Sequence, residues 1–436
     1  MNKQPVIGVI ADDFTGATDI AAMLVRSGMQ VVQTIGIPSA DLLANIDADA
    51  IVVALKSRSI PAQEAIAQSL AAWDALAATG VRQCYFKYCS TFDSTPEGNI
   101  GPVTEALTDA LGVTTVAHVP ALPVNGRSVY QGHLFVFDKL LNESGMEKHP
   151  LNPMSDANLV RWLKQQSQGD VGLIAQADVA QGAEAIQACM NELSRAGIGQ
   201  VIGDAVSEQD LAHWGKALVD APLVAGGSGL ATPLAREHAA LGHYEVAPQG
   251  ALVAKPGKRP ALMLAGSCSV ATLGQIARFK ADGGMTLRLD PREIAANPHC
   301  VQQAIGWVRQ NLLAGSVLVY ASGTAEQVQA AQTELGVERA GQLVEAALSQ
   351  IARELMPADG GGRLIAAGGE TSGAVVSALD ISALRIGPEI DPGVPWTQAL
   401  DNNGNVLGWL ALKSGNFGAE DFFAKATQIL DDAGKQ

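Results

Sequence analysis

Two aspartates, Asp12 and Asp13, stand side by side where the apolar run PVIGVIA ends. A carboxylate at the end of a buried strand can hold a divalent cation, take a proton from a hydroxyl, or hydrogen-bond a polyol. The blander role is helix capping: Asp13 or Thr15 accepts from the first N–H groups of a helix starting near Ala17, worth about 1 kcal/mol. One cap needs one acceptor, so capping leaves one acid over. Asp12, which directly follows the strand, is the candidate for chemistry. A second cluster, FKYCSTFDSTPEGN, gathers Lys87, Ser90, Thr91, Asp93, Ser94, Thr95 and Asn99. Hydroxyls, an acid and a cation suit a small, hydroxylated, anionic ligand, although ordinary Ser/Thr/Pro turns draw on the same residues. In KSRS, Arg58 has the fork to take a carboxylate bidentately. Taken alone, a cation at a loop end is common. Asn125, Arg127 and His133 lie in an irregular stretch, 123–153, where lining a cleft and a purely structural role are both open.

Strands and helices must carry these groups. Short apolar runs near residues 5–11, 29–37, 49–55 and 82–88 alternate with helical patterns near 17–27, 62–78 and 102–111. Nearly unbroken apolar strands imply parallel sheet covered on both faces. Within 123–153, YQGHLFVF reads as a hairpin or lid. The β/α rhythm weakens at YEVAPQGALVAKPGKRP and restarts after it. The expected organisation is α/β: two α/β domains with mostly parallel sheets and an interdomain cleft. Residues 1–243 form one domain, 244–259 the linker and 260–436 the other. Near the C-terminus, NNGN marks a hairpin. Open parallel sheets bind ligands beyond the carboxyl ends of their strands, so the strand-to-helix turns are where chemistry is expected.

The second half has three glycine turns opening helices. AGSCSVATLGQI presents Gly266, Ser267 and Ser269; AAGGETSGAVV presents Gly368, Gly369, Glu370, Thr371 and Ser372; KSGNFGAEDFF presents Ser414 to Phe417, including Gly415. Such turns aim N–H groups and the positive helix end outward, which suits phosphate. No GxxxxGK[ST] P-loop occurs, and no GxGxxG follows a strand. The second absence speaks against an NAD-dependent hydroxy-acid dehydrogenase, the main rival enzyme class. A non-catalytic sugar-acid sensor is the rival outside enzymes. Carboxylates in one half and phosphate-cradling turns in the other fit a phosphotransferase.

The chain has 436 residues, 47% of them apolar and 17% charged, enough for substantial cores. Its formal charge of −15 opposes nucleic acid and anionic membrane as partners. Five cysteines without a CxxC pair fit a reducing cytoplasm better than a disulfide framework or a zinc site. No leader or spanning run is expected. Assembly as a homo-oligomer stays open.

Taken in order, ADDFTGA, DSTPEGN, GGETSGAV and KSGNFG resemble the four-carbon acid sugar kinase family, once called DUF1537, over essentially the whole chain. The forms IADDFTGATDIA, PVNGRSVYQGHLFVFDKLL and GPEIDPGVPW are most similar to its 3-oxo-tetronate 4-kinase branch; threonate and erythronate kinases are the near alternatives. The resemblance implies a sugar-acid-binding first domain and a nucleotide-binding second domain. It also implies ATP, with Mg²⁺, phosphorylating the terminal hydroxyl of a small-molecule four-carbon acid. Asp12 and Asp13 would then lie at the acceptor site, with Arg58, Lys87, Asp93, Ser94 and Asn99 as neighbours, and Asp12, or else Asp93, would act as catalytic base. Ser267, Gly368, Gly369, Glu370, Thr371, Ser372 and Gly415 would contact ATP. The family pattern has Arg before Gly-Asn where this chain has Glu97, which leaves open whether Lys87 or Arg58 meets the carboxylate or phosphate.

Overall fold

The computed structural model describes residues 3–149, 151–248, 257–297, 299–357 and 359–433. The chain divides into two compact units, Met1–Pro248 and Gln249–Gln436. The expected linker, 244–259, spans this division, and its residues 249–256 lie outside the described residues.

The first unit is built on parallel strands. Ile7–Ala11 pairs with Ala50–Ala54 on one side and Gln83–Lys87 on the other, and Ala50–Ala54 pairs in turn with Val31–Ile35. Beyond Gln83–Lys87 follow Leu223–Gly226, Val116–Val119, Gln200–Gly203 and Val171–Ile174, all parallel. The apolar run IGVIA is buried at every position because helices cover both faces. The helix Phe14–Arg26 buries Ala17, Ile20, Ala21 and Leu24, the spacing of one apolar stripe. Gly8 lets the helix Ala62–Ala77 close in: a Cβ there would touch Leu76 at 3.2 Å. Trp214 is fully buried, and its indole N–H donates to the Asp204 carbonyl at 2.9 Å.

The irregular stretch does contain a hairpin. Arg127–Tyr130 runs antiparallel to His133–Val136, which pairs with Lys139–Leu140. The turn is tied down by Asp204, whose carboxylate accepts from Gln131 N at 2.6 Å and Gly132 N at 2.9 Å.

The second unit repeats the opening plan of the first. Leu262–Ala265 lies between Val317–Tyr320 and Arg363–Ala367, and Met285–Arg288 lies outside Val317–Tyr320, all parallel. Val406–Lys413 joins Arg363–Ala367 in parallel, and Val394–Leu400 and Ala383–Asp391 then continue antiparallel. The hairpin at NNGN is therefore present, with the Asp401 carboxylate accepting from Asn403 N and Asn405 N at 2.8 Å. Trp396, Phe422 and Phe423 anchor the core, and the Trp396 indole donates to the Ala426 carbonyl at 2.8 Å.

In each unit the first strand has two strands built to one side of it before the chain crosses over to the other. The strand order reverses between Ile7–Ala11 and Gln83–Lys87, and again between Leu262–Ala265 and Arg363–Ala367. Such reversal points open a crevice beyond the strand ends.

Candidate active site

At the first reversal point, backbone hydrogen bonds knit the strand ends together. Asp12 N donates to the Lys87 carbonyl at 3.0 Å, and the Asp12 carbonyl accepts from Ser57 N at 3.0 Å and Arg58 N at 3.2 Å. The two adjacent acids separate in role. Asp13 caps the helix Phe14–Arg26, accepting from Gly16 N at 3.1 Å. Asp12 is 5% exposed and gripped bidentately by Arg58, Nε to Oδ2 at 2.8 Å and Nη2 to Oδ1 at 2.7 Å. Arg58 Nη2 also meets Asp13, and Nη1 lies 3.9 Å from Asp93. Burial pushes the Asp12 carboxyl above its ordinary pKa, with the Arg58 hydrogen bonds pulling the other way. One guanidinium thus faces three carboxylates.

The FKYCSTFDSTPEGN segment surrounds this cluster. Lys87 is buried, its ammonium donates to the Tyr88 carbonyl at 2.7 Å, and a Cβ on Gly16 would stand 2.9 Å from it. Asp93 accepts from Thr91 Oγ1 at 2.6 Å. Phe92 adopts φ 57°, a left-handed conformation that a bulky residue keeps only where its surroundings impose it. Ser94 faces inward: it donates to the Phe92 carbonyl and accepts from Trp162 Nε1 at 3.0 Å and Gln166 Nε2 at 2.9 Å. The Asn99 amide donates to the Ser57, Arg58 and Ile60 carbonyls at 2.7, 3.3 and 2.8 Å. Asn99 therefore shapes the loop that delivers Arg58. Asp12, Asp13, Arg58 and Asp93 form one cluster, with Lys87 beside them; Ser94 and Asn99 brace it. His133 stays with the hairpin turn: its Nδ1 donates to the Gln131 carbonyl at 2.8 Å and its Nε2 accepts from Asn158 Nδ2 at 3.3 Å.

In the second unit, a cavity of about 440 Å³ opens at the second reversal point. One end is lined by Gly266, Ser267 and Gly368–Thr371, and the wall by Ala331, Val337, Ala340 and Val344, with Arg288 also in the lining. The helix Gly369–Ala378 has no side-chain cap, so its first N–H groups keep no side-chain acceptor. Gly368 has φ +130°, and a Cβ on Gly266 would overlap Thr371 Oγ1. Phosphate fits this end and a flat apolar ring fits the wall. Ser372 lies further in, its hydroxyl donating to the Ala366 carbonyl at 3.3 Å. Gly415 sits against Ser267, where a Cβ would overlap Ser267 Oγ.

Lys413, which the motifs do not single out, ends the strand Val406–Lys413 and opens KSGNFG. It is 1% exposed, and its ammonium donates to Thr272 Oγ1 at 3.1 Å and to the Ser414 and Gly415 carbonyls at 3.1 and 3.2 Å. Burial draws its pKa down to about 8. A lysine closing an otherwise apolar strand, LGWLAL, was the available signal. Among the described residues, no group of three His, Cys, Asp or Glu gathers to hold a metal ion, and no helix is long and apolar enough to cross a membrane.

Residues 7–234 match the family model of a sugar-binding N-terminal domain, and residues 262–423 that of a nucleotide-binding C-terminal domain. A 3-oxo-tetronate kinase of Pseudomonas savastanoi pv. phaseolicola is 51% identical, with 99% of both chains covered. The chain belongs to the four-carbon acid sugar kinase family. Another member, a 3-oxo-tetronate kinase of Burkholderia multivorans, is 52% identical over 99% of each chain. The crystal structure of a DUF1537 protein of Haemophilus influenzae superposes with TM-score 0.89 at 44% identity, covering 97% of this chain and all of that one. This member of the family is accordingly an enzyme, a kinase, with the α/β architecture that its sequence predicts.

Proposed function

We propose that this kinase transfers the terminal phosphoryl group of ATP to the 4-hydroxyl of 3-oxo-tetronate. The observation that carries the substrate is the near-complete coverage at about half identity by relatives named for that compound. Residues 1–243 bind the sugar acid and residues 260–436 bind ATP. Three acids gathered around half-buried Arg58, with buried Lys87 beside them at a strand-order reversal, support the first assignment. An uncapped helix beside an apolar wall supports the second.

Asp12 orients the acceptor hydroxyl and takes its proton as the oxygen attacks phosphorus. Arg58 occupies both Asp12 oxygens and so fixes the plane of the carboxylate, which leaves the outer lone pairs for the hydroxyl. Because the Arg58 fork is filled by carboxylates, Lys87 is the cation that remains for the acid group of the substrate. In the second unit, N–H groups at Gly369–Thr371 hold phosphate oxygens, Ser267 and Gly415 wall the turn, and Arg288 is a cation in the cavity lining. Mg²⁺, entering with the nucleotide, would supply charge neutralisation on the phosphates.

The test is ADP release from the purified chain with 3-oxo-tetronate, threonate and erythronate, followed by ³¹P NMR of the product. Highest kcat/KM on 3-oxo-tetronate with phosphate on O4 is expected. A higher value on either reduced acid, or phosphate on another oxygen, overturns the substrate or the regiochemistry.

A further inference from the structure

Lys413 carries a charge that the fold would be cheaper without. It is fully enclosed, and among the described residues its ammonium bonds two carbonyls and a hydroxyl but no carboxylate. Burying an ammonium against neutral partners alone is unfavourable, and the depressed pKa of about 8 expresses that cost. Its bonds converge on one place. Thr272, in the first turn of the helix Val270–Ala281, accepts from Lys413 and itself donates to the Gly415 carbonyl at 2.9 Å. Ser269, the cap of that helix, donates to the same carbonyl. Three donors therefore hold one peptide oxygen, and Gly415 is thereby pressed onto Ser267, which lines the cavity.

We infer that Lys413 is a positioning residue for the nucleotide: by clamping the Ser414–Gly415 turn against Ser267, it sets the phosphate end of the cavity. It acts through the turn, with its own three donors already spent on Thr272, Ser414 and Gly415. This inference rests on the assignment of ATP to the second unit and deepens it. The reach is long in sequence, 141 residues from Lys413 to Thr272, so the two glycine turns are coupled only through the folded sheet.

The experiment is calorimetric titration of the full chain with ATP·Mg²⁺, alongside kcat and KM for ATP. Lys413→Met should raise Kd and KM for ATP by at least about ten-fold, the cost of losing charge-assisted bonds. kcat at saturating ATP should stay within about three-fold, because no contact to the reacting atoms is removed. Thr272→Val keeps the side-chain volume while deleting the shared hydroxyl, and should weaken ATP in the same direction. A folded Lys413→Met with unchanged ATP affinity overturns the inference. If that variant does not fold, unchanged affinity in Thr272→Val overturns it instead. An unmutated chain that binds no ATP sinks the nucleotide assignment itself, an outcome distinct from either.

Discussion

Gly369 is a position at which binding and stability can be separated. It is the first residue of the helix Gly369–Ala378, and a Cβ built on it meets no atom within 4 Å. Gly369 lines the cavity, so a side chain there would take up space in the end proposed for phosphate. Replacing it by Leu should leave the fold intact, with Tm within about 4 °C of the parent, the shift expected from about 1 kcal/mol in a domain of this size. The same side chain would displace a phosphate from the helix N–H groups. Each hydrogen bond to a charged group is worth about 1.5–3 kcal/mol. Losing two costs at least about 3 kcal/mol, or more than about 100-fold in ATP affinity. Titration calorimetry reads the affinity and differential scanning calorimetry the fold. Gly369→Leu with unchanged ATP affinity would refute the placement of phosphate at this helix. Gly368→Ala is the contrasting control: with φ +130° and Ser267 N only 3.1 Å from its Cβ, it should lose stability by about 1–3 kcal/mol.

Asp12→Asn should lower kcat by about 10²–10⁴, the usual share of a positioned base, while ATP affinity stays unchanged; near-normal turnover in a coupled assay would remove Asp12 from the chemistry. Asn99→Ala deletes three ties to the 57–60 loop and so should loosen Arg58. Stability should fall by about 2 kcal/mol in denaturant melts and KM for the acid should rise; a rise in neither would show the loop holding its shape unaided. His118 is fully buried between Tyr88 and Gln200 and its pKa is lowered to about 4. The folded chain keeps it neutral, so the unfolded chain binds the proton more readily between pH 6.5 and about 4. Stability therefore falls as pH drops through that window, by about 3 kcal/mol from this residue. His238, also lowered to about 4, adds to the same slope. His118→Gln should flatten the His118 part in melts at stepped pH; an unchanged slope would assign it elsewhere.

The strands and helices were legible because they depend on local pattern. IGVIA is apolar throughout and buried throughout, and YQGHLFVF folds back about Gln131–Gly132. The turn residues were legible as groups for the same reason: polar side chains collect at strand ends. Their individual partners were not. Arg58 read as a fork open to a ligand, yet its fork closes on Asp12, 46 residues away. Ser94 binds Trp162, 68 residues on, and Asn99 reaches back 42 residues to Ser57. Each pairing is set by strand order, which the periodicity of one strand does not encode. Lys413 was hidden for the opposite reason. A strand ending in lysine usually signals emergence into water, and only the packing of Thr272 and Phe422 around it reveals an interior charge.

The central place of Ile7–Ala11 in its sheet bears on how the enzyme is made. During synthesis this strand leaves the ribosome before both strands that flank it, the second ending only at Lys87. Asp12 and Asp13 therefore emerge well before Arg58, the cation that pairs with both. The nascent chain must carry an unpaired acidic tip and two bare sheet edges until then, a stretch of its life in which a chaperone has the most to shield.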